Sequence, residues 1–508
     1  MEYTGLRTLG SPRTTGALAI GFASTWLVFP WVIGPLGLLR EFWSWAVLLA
    51  ILWVSVRQRP PQTHVLHTLA WGLLLAALVN SGEGVVQAYT QWQSSPASHA
   101  SPVYGLLHQR NQFASLCLMG LAACAWATGT HFQSSQTVRI LSLSAAMCLG
   151  AAVSLSGSRT GLLGLLMLWL GHEALARRRV GTPGAQAPRW ELRAGILGYL
   201  LALLPALAGP GHAIGILARQ DAQEGFGLCH SRLSLWANVL TLIRQKPWGG
   251  WGWGELDFAH FTTLFSGERF CELLSNAHNL PLHLAVELGI PWAVLLCALA
   301  LWCIKSAQPW REHNPDRLLA WGVLLVIGVH SLLEYPLWYG PFQASTLLCL
   351  WVLARTPRQA TTGPATAPQA LPAPVALGLQ WALGCGLLLT AFAAADYYRA
   401  SQIYLPPAHR MARYQEATQQ KIQQSVFFQG TLDFAQLGLT EVTAANAEHT
   451  HALALKLLHF SPEAMVVQKL LDSARLLGRQ DEYDYYQPRF AAAYPDAFLQ
   501  WKTHQPGD

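Results

Sequence analysis

IPWAVLLCALALWCI, residues 290–304, runs for fifteen positions without a charged side chain and stops at Lys305. With the apolar residues just before it, the run reaches the length of about 20 residues that crosses a bilayer as a helix. The same texture recurs at AVLLAILWVSV (46–56), LLGLLMLWLG (162–171) and AGILGYLLALLPALAG (194–209). Over the chain, 52% of residues are hydrophobic and only 12% charged, with 22 tryptophans. A soluble domain carries roughly twice that charged fraction. These features indicate an all-α polytopic membrane protein. The net charge of +6 is spread over loops and suggests no nucleic-acid partner.

The apolar periodicity predicts eleven spans, at about 16–33, 37–55, 65–80, 103–128, 137–155, 159–176, 193–209, 279–304, 317–334, 341–355 and 374–395. The first lies behind Arg7 and Arg13, is followed at once by a second, and lacks a small-residue cleavage site. It reads as a retained helix rather than a signal peptide. Lys and Arg in the short loops orient the bundle. With a cytoplasmic N-terminus, the cytoplasmic loops hold fifteen of them, and the opposite face only Arg40, Arg110 and Arg159. An odd number of spans then puts the C-terminal region outside.

Two large segments therefore face the exterior. One is the loop at about 210–278. The other is the tail 396–508, which follows a transmembrane domain of residues 1–395 that ends with a Pro/Ala/Thr-rich linker and a last span. In the tail, HALALKLLHF and VVQKLLDSARLLG carry helical apolar spacing. SPEA (461–464) reads as an N-cap with Pro and Glu in the first turn. This predicts a small α-helical domain resembling tetratricopeptide hairpins. Cys229 and Cys271 both lie in the outer loop, an oxidising place if periplasmic; they read either as a disulfide or as two buried thiols.

Ionisable groups at membrane depth are costly, and are usually functional or paired. Arg159, in SLSGSRTGLLGLLML, sits at an outer span end behind Ser154, Ser156, Gly157 and Ser158. It reads as an accessible functional guanidinium or as a cation snorkelling to the headgroups. Arg232 opens an amphipathic stretch, Ser231–Ile243, expected to lie on the membrane surface beside free backbone N–H groups that favour anions. Its bland alternative is a surface charge meeting lipid phosphate. PWGGWGWG behind it should turn the chain sharply back. Arg110 sits among His108, Gln109, Asn111 and Gln112, which need a wet cavity or mutual partners. Glu334, Tyr335, Trp338 and Tyr339, in LLEYPLWYGPF, read as an aromatic belt or as a surface for sugar stacking.

NAHNLPLHLAVELG (276–289) places His278 at the mouth of an apolar run, with His283 five residues on. As a metal ligand His278 lacks company; the nearest carboxylate-rich stretch is ELDFAH (255–260), with Glu255, Asp257 and His260. It reads as a structural histidine or as a general base with arginines nearby to hold an anion.

SRTGLL, RLSLWANVLTLIRQKPWGGWGWG and NAHNLPLHLAVELGI resemble the segments that mark the O-antigen ligase and O-antigen polymerase superfamily. RNQFASL, LEYPLWYGPF and the tail are similar to one branch, the bacterial O-linked protein oligosaccharyltransferases (PglL-type pilin glycosylation ligases). The resemblance runs from about residue 100 onward. It implies en bloc transfer of a glycan from undecaprenyl pyrophosphate to Ser or Thr of a pilin-like acceptor, at the periplasmic face of the inner membrane, without metal or other cofactor. It also implies that His278 is the catalytic histidine, that Arg159 and Arg232 are the essential arginines, and that Gln112 and Tyr335, or else Tyr339, bind substrate, with Arg110 beside them. An O-antigen ligase or polymerase would share the chemistry; a transporter of lipid-linked glycans is the rival of another class.

Overall fold

The structure, a computed structural model, describes residues 12–27, 37–56, 61–94, 102–131, 136–178, 190–204, 228–358 and 371–504. The regular secondary structure among them is helical throughout. Six helices are long and apolar enough to cross a membrane: Leu39–Val56, His64–Ser94, Arg110–Gly129, Gln136–Leu155, Ile290–Arg311 and Ala373–Tyr404. The other expected spans form shorter or more polar helices: α6 (Arg159–Arg178), α7 (Trp190–Leu201), α12 (Pro315–Ser331) and α13 (Gly340–Arg355). The first expected span is described only in part, as α1 (Pro12–Ser24). The start of the outer loop, most of the Pro-rich linker, and Arg7 lie outside the described residues.

The chain forms two compact units, residues 1–222 with 303–394, and residues 223–302 with 395–508. In the first, α4 (Arg110–His131) is the central helix, packed against α3 (Pro61–Ser94), α5 (Gln136–Leu155) and α12. Its sequence explains the place. RNQFASLCLMGLAACAWATGTH is rich in Ala, Gly and Ser, which let neighbouring backbones approach where lipid gives helices no hydrophobic reason to associate. α5 and α7 meet still more closely: a Cβ at Gly150 would run into the Gly195 backbone. Close backbone contact of this kind gains dispersion energy that larger residues would forfeit.

In the second unit the outer loop and the tail share one core. Phe261, from the short helix α9 (Leu256–Thr262), is buried with Leu437, Leu457, Leu470, Phe490 and Trp501 of the tail. His459 stacks on Phe258 at 3.9 Å and meets the Glu255 carboxylate at 2.8 Å. Arg489 donates to the Thr262 carbonyl at 2.7 Å. The two apolar tail stretches form α17 (Ala447–Leu458) and α18 (Ala464–Leu476), packed on each other. α18 starts later than SPEA predicted: Glu463 holds the cap position, and Ser461 instead closes a tight turn through its carbonyl.

Two further expectations need correction. The span at 279–304 is broken into α10 (Leu280–Leu288) and α11 (Ile290–Ala307). The break is Gly289, at φ 89° with the backbone of Trp248 against it. The PWGGWGWG turn docks there: Trp251 N–H donates to the Val286 carbonyl at 2.9 Å, Gly252 N–H to Glu287 at 3.0 Å, and Ile290 N–H to Pro247 at 2.8 Å. The second correction concerns α8 (Arg232–Gln245). Leu235, Val239, Leu242 and Ile243 face inward into a core with Leu256, Phe270, Leu274 and Val286. Leu233, Ala237 and Leu240 are left exposed on the other side, so protein covers most of the larger apolar side chains of this helix.

Candidate functional site

In the second unit, Arg232 is the first residue of α8, behind Ser231, whose hydroxyl accepts the Ser234 N–H at 3.1 Å. That capping bond fixes where the helix begins. Cys229 and Cys271 are joined in a disulfide, with Cα atoms 5.4 Å apart. Among the described residues, the one cluster of side chains close enough to share a metal ion is Cys229, His230 and Cys271, and the disulfide occupies both of its sulfurs. Trp236 of α8 donates its indole N–H to the Ala277 carbonyl at 3.1 Å, so the helix carrying Arg232 is tied directly to the residue before His278.

His278 is half-buried and has φ 50°, a left-handed conformation that a non-glycine residue adopts rarely. Asparagines hold it on both sides. Asn276 Oδ1 accepts the His278 N–H at 2.9 Å, and Asn279 caps α10 by accepting Leu282 N–H at 3.0 Å. Asn276 is itself buried, and its Nδ2 has no hydrogen-bond partner among the described residues. A buried amide donor without a partner costs roughly 1–3 kcal/mol. His283, by contrast, is fully enclosed, with Nε2 3.4 Å from the Glu287 carboxylate. Burial pushes its pKa down to about 4, helped by the nearby His278, while burial pushes Glu287 up to about 7. Both shifts favour the neutral forms, so burial works against charge separation in this pair. The two histidines of the stretch divide into one accessible side chain and one structural one.

The ELDFAH stretch serves the fold. Glu255 bonds His459; Asp257 is buried and accepts Phe258 N–H at 2.7 Å. Burial drives Asp257 up to about 6. His260 is held between Asn238 at 3.1 Å and Arg269 at 3.1 Å, and burial lowers its pKa well below the ordinary range.

In the first unit three separated segments meet. Asn111 Nδ2 donates to Glu334 Oε1 at 2.9 Å, and Ser158 Oγ donates to Asn111 Oδ1 at 2.6 Å. RNQF, SGSRTG and LEYP are thus joined through buried side chains. Gln112 is buried, its N–H bonded to Gln109 Oε1 at 2.6 Å. Arg110 is half-buried at the first position of α4, and Arg159 is exposed at the first position of α6. Tyr335 and Tyr339 stack with ring centres 5.6 Å apart. Arg40 lies 5.2 Å over the Tyr339 ring and pairs with Glu41 at 3.1 Å; the Glu41 carboxylate also accepts the Gly340 N–H. Sequence reasoning passed over Arg40, Asn276 and the joint role of Asn111, Ser158 and Glu334. The signal for Arg40 was present, since it is one of three arginines on the face poor in them.

The structure therefore collects Arg232, the disulfide and His278 in one unit, and Arg110, Gln112, Arg159, Tyr335 and Tyr339 in the other. Family models for the O-antigen ligase and for the C-terminal part of a virulence factor membrane-bound polymerase match residues 144–297 and 318–506. A general O-oligosaccharyltransferase of Acinetobacter baylyi is 28% identical over 178 residues, 34% of this chain and 29% of the relative. A ComP-specific O-oligosaccharyltransferase of the same organism is 22% identical over 325 residues, 61% of this chain and 56% of the relative. An O-antigen ligase of Pseudomonas aeruginosa is 26% identical over 270 residues, covering 52% and 57%. The chain thus spans less than two thirds of the length of these relatives. By these matches, which take in SRTG, α8, NAHN and the tail, the chain is similar to enzymes of the O-antigen ligase superfamily and to its O-oligosaccharyltransferases.

Proposed function

We propose that this protein is a glycosyltransferase that moves a preassembled glycan en bloc from undecaprenyl pyrophosphate to a serine or threonine of a pilin-like acceptor protein. The reading includes an inner-membrane location, eleven spans, and an active site and tetratricopeptide-like tail domain on the periplasmic side. The single observation that supports it most is the backbone of His278. A half-buried histidine held at positive φ by two asparagines is strained, and strain of this sort persists where surrounding structure over-determines a functional conformation.

In this mechanism His278 takes the proton from the acceptor hydroxyl as its oxygen attacks the anomeric carbon. The bond from that carbon to the pyrophosphate oxygen breaks, and undecaprenyl pyrophosphate leaves with the electron pair. Arg159 and Arg232 bind the pyrophosphate and offset its growing charge. Planar guanidinium groups suit this work because they meet phosphate oxygens two at a time. Arg110 and Gln112 add polar contacts to the donor, and Tyr335 or Tyr339 stacks on sugar.

The test is transfer by the purified protein of a labelled lipid-linked glycan, offered pilin, lipid A core or a second lipid-linked repeat. Pilin as the modified product supports the proposal. Labelled core or lengthened repeats would replace it with a ligase or polymerase, a reading favoured by the matched O-antigen ligase and polymerase models. Vesicle uptake of the glycan without transfer would make the protein a transporter. Transfer should also survive EDTA; revival of a chelated enzyme by magnesium or manganese would overturn the metal-free mechanism.

A further inference from the structure

Three buried side chains that no catalytic step uses form a directed chain of hydrogen bonds. Asn111, Ser158 and Glu334 are 8%, 2% and 7% exposed. Gly161 N–H donates to Ser158 Oγ at 2.9 Å, the Ser158 hydroxyl to Asn111 Oδ1 at 2.6 Å, and the Asn111 amide to Glu334 Oε1 at 2.9 Å. Every donor points the same way and the chain runs into a carboxylate, the arrangement in which successive bonds polarise one another. Gly161 reinforces the junction: a Cβ there would lie 2.7 Å from that of Ala114, so α6 rests directly on α4 at this point.

Each member adjoins a residue assigned above to the substrate. Ser158 caps the helix that Arg159 begins. Asn111 lies between Arg110 and Gln112, and Glu334 precedes Tyr335. We propose that Asn111, Ser158 and Glu334 are positioning residues, which fix the register of Arg159 against Arg110, Gln112 and Tyr335 without touching substrate. The proposal rests on the reading of Arg159 as a pyrophosphate ligand. An offset of about 1 Å in such a set costs up to about 100-fold in rate.

Exchanging donor and acceptor tests it. Asn111→Asp sets a second carboxylate against Glu334 where a bond was. Asn111→Asp with Glu334→Gln restores a bond of the opposite sense and leaves an oxygen for the Ser158 hydroxyl. The full-length protein is purified in detergent and read three ways: kcat and KM with the lipid-linked donor, melting temperature, and protection from unfolding by inorganic pyrophosphate. The expected result is a loss of at least about tenfold in kcat/KM for Asn111→Asp, recovered to within about threefold in the double variant. Pyrophosphate protection should follow the same pattern. A double variant no better than Asn111→Asp, or an Asn111→Asp protein that melts earlier but keeps its kcat, KM and pyrophosphate protection, overturns the proposal. If the wild-type protein transfers no glycan yet pyrophosphate protection tracks the exchange, the positioning role stands and the transfer reading falls.

Discussion

The two units solve the burial of polar groups in opposite ways. In the first, small residues on α4, α5 and α7 bring backbones together, and the polar side chains of three segments satisfy one another through Asn111. In the second, the core is large and aromatic, with Phe261, Phe490 and Trp501 at its centre. There burial shifts the titratable groups even where they are hydrogen-bonded: Asp257 up to about 6, Glu287 to about 7, His283 down to about 4. The difference teaches where each unit is vulnerable. Geometry in the first hangs on a few hydrogen bonds, whereas the second rests on apolar volume and a disulfide, with His278 and Arg232 on its surface.

That contrast can be broken most sharply at His278. Its replacement by alanine should cut transfer by about 10²–10⁴-fold while leaving the amount of protein in the membrane unchanged. Disappearance of the folded protein would instead place His278 among the structural residues of its unit. Phe261→Ala should do the reverse, destabilising the second unit by about 3–5 kcal/mol, as seen by urea unfolding or proteolysis of the tail. An unaltered tail would show that loop and tail do not share a core.

The disulfide should be worth roughly 3–4 kcal/mol on the chain-entropy estimate. Cys229→Ser is expected to slow transfer as well as lower the melting temperature, because the bond limits where α8 and its Arg232 can move. Non-reducing mass spectrometry of membranes prepared with a thiol-blocking reagent checks the bond; two alkylated cysteines would deny it.

A smaller effect is a pH slope from Asp257. Burial raises its carboxyl from 3.8 to about 6, so the folded state holds the proton more tightly than the unfolded chain does. Its stabilising contribution is complete below pH 3.8 and disappears as pH rises through about 6. Asp257→Asn should remove its share of the slope, on the order of 2 kcal/mol, and leave the share of Glu287, in melting temperatures taken from pH 4 to 8. Retention of the full slope would assign it to Glu287 instead. Smallest of all, Arg159→Lys and Arg232→Lys should each lose about tenfold in kcat/KM, since a point charge replaces a planar fork. If both lysine variants run at full speed, the pyrophosphate clamp is wrong.

Sequence alone determined that the chain is helical and membrane-embedded, because long apolar runs leave a backbone no other way to satisfy its polar groups in lipid. It also marked Arg159 and Arg232, since charges are scarce enough here for each to stand out, while His278 was singled out by the family resemblance. Residue chemistry alone gives no reason to prefer His278 over His283: both sit in the same apolar stretch, and packing encloses one and leaves the other half-buried at a left-handed turn. Nor could it foresee that α8 turns its apolar face to protein, because helical spacing records that a face is buried and not what covers it. The break at Gly289 needed the PWGGWGWG turn docked against it. The chain through Asn111 joins residues 47 and 223 positions apart, and no local pattern carries such a pairing. Those contacts are made when the helices pack, so tertiary structure alone decided them.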